Sequence, residues 1–297
     1  MQDRSGAGEL GLVVAATAVL VPFVPAAPAA AVTGLIMLAA ALGTAALAGE
    51  PRPWRLPVIA AVLPALAAFS VAGIARLVDP LPWLIFVFVA GWVALAGLVV
   101  LELLPAGDGE PAAATPPAVR FRPTRRAEFD LPKIVAEPLD SREQPSHPRP
   151  LAVRMACLAM AFVAFTAVGG ILPGGLAVGG PAPDDRLLAA TFALDGLLGG
   201  ALGYRIAAIT RPSRYDRIVR TLAFVQYGLP VAAVGVTLRA IGLPRLFTPA
   251  LLTLLVYMVT VLRDSPEPVL MNRRLLQELA VLGAVGLIAA AWGLLVR

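Results

Sequence analysis

The sequence predicts an all-α, polytopic transmembrane bundle of about nine spans. Three observations carry that expectation. Hydrophobic residues make up 59% of the chain and charged residues only 14%, with a mean hydropathy of +0.82; soluble domains of this size carry roughly 25% charge. The apolar residues fall in runs long enough to cross a bilayer as helices, the one open-chain structure that satisfies its own backbone in lipid. The charges lie almost entirely between those runs.

The first apolar stretch, residues 10–48, is too long for one helix and carries Pro22, Pro25 and Pro28 near its middle. It therefore divides into helices over about 6–23 and 28–48 joined by a tight proline turn. Further helices are expected over about 56–78, with Pro64 as a kink, and over about 82–104. Residues 105–150 hold ten prolines, seven basic and seven acidic residues, a composition that cannot bury a core and predicts a disordered linker. Five more helices follow over about 152–172, 187–209, 217–238, 246–262 and 275–296. The chain thus divides into a four-helix membrane half (1–104), a cytoplasmic linker (105–150) and a five-helix half (151–297). A secretory signal over 10–31 is the competing reading of the start; Asp3 and Glu9 against a lone Arg4 do not make the basic segment it needs.

Assigning loops to alternate sides places nineteen basic residues on one side and five (Arg76, Arg186, Arg239, Arg245, Arg297) on the other. The positive-inside rule then sets the N-terminus, the linker and the loop at 210–217 in the cytoplasm and the C-terminus outside, in a cell membrane. The net charge of +5 is thereby a matter of topology, so nucleic acid is not an expected partner. One cysteine (Cys157) and one histidine (His147) exclude an intrachain disulfide, a bis-histidine haem, the usual zinc sites and an iron–sulfur cluster. No metal or cofactor is expected.

Asp195 is the most informative residue, an acid in the middle of the sixth helix. Such a group costs on the order of 3 kcal/mol at the bilayer centre and should face the bundle interior or water. Thr191, Asp195, Gly199 and Gly203 recur every four residues and share a face, while Gly196/Gly200 and Gly199/Gly203 form small-xxx-small pairs that allow close helix approach. Two roles follow for Asp195. It docks the sixth helix on a neighbour, or it binds a proton or cation with Gln226 and Tyr227 of the seventh helix as partners. Arg205, ten residues on, is too far along the axis to be its counter-ion within the helix.

Arg211, Arg214, Arg217 and Arg220 fan around the junction of helices six and seven, and Arg120, Arg122, Arg125 and Arg126 cluster in the linker. The first group is expected to snorkel to anionic lipid headgroups, with docking of an acidic partner or a phosphate-bearing substrate as the alternative. The linker group is expected to be solvated, with contact to a membrane surface or a partner protein, such as another membrane protein, as the alternative. Glu102 and Glu278 read as helix-boundary residues. Nine spans with an inside N-terminus also resembles the intramembrane aromatic prenyltransferases, which need aspartate-rich loops after helices two and six. Here those loops offer only Glu50 and Asp216, so the resemblance stops at helix count. A serine–histidine or paired-aspartate intramembrane protease lacks its residues, and no phosphate-binding loop appears. The surviving expectations are a non-catalytic subunit or scaffold, then a small-solute, ion or lipid transporter using Asp195, then a lipid-modifying enzyme.

Overall fold

The computed structural model describes residues 2–48, 58–78, 81–103, 148–172, 184–210, 216–241 and 247–264, with 277, 278, 280–286, 288 and 291 near the C-terminus. Its elements are α1 (Gln2–Val19), a 3₁₀ turn (Val21–Phe23), α2 (Ala26–Leu47), α3 (Val58–Leu77), α4 (Leu81–Leu103), α5 (Pro148–Ile171), α6 (Asp185–Thr210), α7 (Asp216–Ile241) and α8 (Phe247–Asp264). Among the described residues there is no strand. Seven of these helices are long and apolar enough to cross a membrane; the apolar run of α8, Phe247–Arg263, is shorter. The expected ninth helix falls only partly within the described residues, and those between 277 and 291 are helical.

Local chemistry sets the boundaries. Pro22 and Pro25 remove two N–H donors, and the chain between α1 and α2 tightens into the 3₁₀ turn, with Pro25 at the start of α2. Arg76, in the last turn of α3, reaches across and donates to the carbonyls of Val21 (3.2 Å) and Val24 (3.1 Å). Asp184 caps α6, its Oδ1 accepting from the Leu187 N–H at 2.8 Å.

The apolar run of α3 is 67% buried, against 28% for those of α2 and α4, and this places α3 at the centre of the bundle. It packs on α5, α2 and α4, while α5 also meets α8 and α6. The α3–α5 crossing is a backbone contact: a Cβ on Gly73 would collide with Ala167, and one on Gly170 with the carbonyl of Gly73. Small residues are what permit it, because no hydrophobic force draws helices together in lipid and close packing must do so. Outward faces carry exposed leucine, valine and phenylalanine, including Leu35, Phe86, Val93 and Leu229, as lipid contact requires.

Several hydroxyls are satisfied inside their own helices. Thr33, Thr44, Ser70 and Thr166 each donate to the carbonyl four residues back, and Thr191 to that of Leu188, at 2.7–2.8 Å.

Candidate functional site

Among the described helices, α6 and α7 make the most extensive contact. Its antiparallel register sets Gly203 on Tyr227, Gly199 on Val231 and Asp195 on Gly235. Gly200 lies under the ring of Phe224, and a Cβ on Gly228 would stand 2.7 Å from the carbonyl oxygen of Gly196. The glycines singled out in the sequence are thus brought together on one seam against α7.

Asp195 is fully buried at one end of that seam, the end away from the α6–α7 loop. The expectation of Gln226 and Tyr227 as its partners is corrected by the structure. The carboxylate is held by Arg239 of α7, with Nε 3.1 Å from Oδ2 and Nη2 3.2 Å from Oδ1. The side chains in this fork are 5% and 0% exposed, and Nη2 also stands 3.5 Å from the carbonyl of Phe165 on α5. The physical reason is register: Tyr227 faces Gly203, eight residues and about 12 Å along the axis from Asp195. Tyr227 instead donates to the Thr260 hydroxyl of α8 at 3.1 Å, and that hydroxyl donates to Val256 O at 2.8 Å. Gln226 lies on the exposed side of α7.

A second buried ion pair joins the two halves of the chain. Glu102 of α4, read from the sequence as a boundary residue, accepts from Arg205 of α6 at 3.0 Å (Nε) and 2.5 Å (Nη2). Its side chain is 2% exposed and that of Arg205 8%. Cys157 of α5 is fully buried. Helix α6 therefore carries an acid paired to α7 and, about 15 Å further along, a base paired to α4.

Sequence reasoning missed both counter-charges because Arg239 and Glu102 sit near helix ends, where charges are ordinarily solvated. Counting back evenly from the short α6–α7 loop places residue 195 opposite 231, one turn short of the observed Gly235 and two turns from Arg239, so loop length alone does not find the partner. Of the arginines expected at headgroups, Arg220 is partly buried in α7 and makes further interactions. Arg211, Arg214, Arg120, Arg122, Arg125 and Arg126 lie outside the described residues, as does the side chain of Arg217. Among the described residues no three His, Cys, Asp or Glu side chains gather as a metal set.

Comparison with protein-family models, with curated proteins and with solved structures finds no match. The described residues are nearly all helical, and their seven long apolar helices mark the chain as a membrane protein by its own physical chemistry.

Proposed function

We propose that this chain is a non-catalytic subunit or scaffold of a membrane assembly, in which Asp195 is a structural clasp. The observation that carries this reading is the enclosure of the carboxylate: Arg239 takes both oxygens, and Gly235 packs so close that a Cβ there would stand 2.5 Å from Oδ2. A site that loads and releases a cation needs a free ligand oxygen and a path to it. The other intramembrane polar groups support the same reading. Thr191, Thr166 and Ser70 spend their hydroxyls on their own helices, Tyr227 bonds Thr260, and Gln226 faces outward. Transporters line a shared route with such groups.

The orientation belongs to the same proposal: nine spans in the cell membrane, N-terminus and linker cytoplasmic, C-terminus outside. Two of the five basic residues on the sparse side have packing duties, Arg76 on the turn carbonyls and Arg239 on Asp195. Discounting them sharpens the arginine asymmetry that sets topology. Anionic headgroups on the cytoplasmic face are the matching lipid partner.

Liposomes holding a pH-sensitive dye, with a potassium diffusion potential, test the role of Asp195. The clasp reading expects no proton flux above protein-free liposomes for the native chain, and lowered thermal stability for Asp195→Asn. Protein-dependent flux that Asp195→Asn abolishes, in a variant that melts like the native chain, would overturn it.

A further inference from the structure

Gln226 stands eight residues inside the apolar run Ile218–Ile241, about 12 Å from its start and so close to the bilayer midplane. It is exposed, and among the described residues its side chain makes no hydrogen bond. Four residues on is Pro230, inside the helix. Proline has no N–H, so the backbone carbonyl of Gln226 lacks the donor that would ordinarily close its helical turn. One residue thus brings an amide, with two donors and an acceptor, and a second acceptor from the backbone to a surface otherwise bathed in hydrocarbon. Lipid tails can satisfy none of them, and each unmet group is costly there.

The surrounding surface is apolar and continuous. At 3.6 residues per turn, Ile218, Leu222, Val225, Gln226, Leu229 and Ala233 fall within roughly 100° of arc, and Ile218, Leu222, Val225 and Leu229 are 52–72% exposed.

We infer that this face of α7 is a self-association surface, on which a second copy of the chain docks with Gln226 against Gln226. Two copies share one topology, so a two-fold axis between them runs along the membrane normal, sets their α7 helices parallel and brings each residue to its own depth in the partner. A carboxamide is self-complementary, donor to acceptor in both directions, and at matched depth it needs no second residue type. A different protein would have to carry a polar group at that depth by separate design; a second copy carries it by construction. The inference is independent of the clasp reading, because an α7 interface is open to a transporter as well as a scaffold.

Single cysteines in a Cys157→Ala background give the test. Leu222→Cys and Leu229→Cys, which flank Gln226 on the same seam, are expected to form disulfide-linked dimers on oxidation in purified proteoliposomes. Leu35→Cys, on the exposed side of α2, is not. Energy transfer between donor- and acceptor-labelled chains, followed on lipid dilution, then measures association. Gln226→Leu should weaken it roughly three- to thirtyfold, the range of interhelical polar contacts in lipid, while Gln226→Asn retains most of it. Both variants lie on an exposed face and should melt like the native chain. Absence of dimers at 222 and 229, linkage in native membranes only to another polypeptide, or association unchanged by Gln226→Leu would each overturn the proposal.

Discussion

Arg239 and Asp195 hold each other where neither has water, and the consequences of removing one differ from those of removing both. Breaking a buried pair leaves an uncompensated charge and costs about 3–5 kcal/mol, whereas replacing both partners with apolar residues of similar volume is often close to neutral. Arg239→Leu is therefore expected to lower unfolding free energy in detergent by about that amount, and Asp195→Leu/Arg239→Leu to recover most of it. Equal losses in the single and double variants would argue against the clasp. Cys157 gives a second check at this scale. Its side chain is fully buried in α5, so a maleimide should leave the native fold unlabelled and react once the protein is unfolded. The acid was legible in the sequence because a mid-helix aspartate in an apolar run admits few explanations. Its partner was not, because an arginine two residues from a helix end has an ordinary place in the headgroups. Only the length of that side chain, reaching back one turn toward the interior, makes it a membrane residue.

The α6–α7 hairpin shows how small residues become a specific contact. Gly196, Gly199, Gly200 and Gly203 form a strip visible in the sequence at helical spacing, and Gly228 and Gly235 complete it from the other side. Gly228→Ala and Gly235→Ala place a methyl group against the carbonyl of Gly196 and the carboxylate of Asp195, and should each cost about 1–3 kcal/mol as overpacked contacts do. Gly34 and Gly97 have nothing within 4 Å of an added Cβ; alanine there should be neutral or stabilise by up to about 1 kcal/mol, through helix propensity alone. Thermal melts of the four variants separate the two classes. The strip announced that α6 packs closely, while the identity of its neighbour depended on the hairpin register. The α3–α5 crossing was less legible still. Gly73 and Gly170 stand in helices that read as ordinary apolar spans, and a single glycine carries no periodicity.

For the whole molecule, the positions of the described helices α1 to α8 were legible to within about one turn at each end, because apolar runs in lipid are bounded by prolines and charges. The expected helix over about 217–238 is observed as Asp216–Ile241, and that over about 152–172 as Pro148–Ile171. The assembly of the two halves was not legible: it rests on the α3–α5 backbone contact and on Glu102–Arg205, whose members are 103 residues apart. Charge-neutral Glu102→Gln should loosen α4 from α6, seen as faster hydrogen exchange in both helices, without altering which side any loop occupies. The account as a whole depends on the lipid-facing bundle and its arginine-sorted topology. Impermeant maleimide labelling of single cysteines in intact cells, at residues 120, 213, 243 and 297 in a Cys157→Ala background, tests it most directly. The prediction is that 243 and 297 label at once, while 120 and 213 label only after the membrane is opened. Labelling of 120 and 297 from the same side would contradict it.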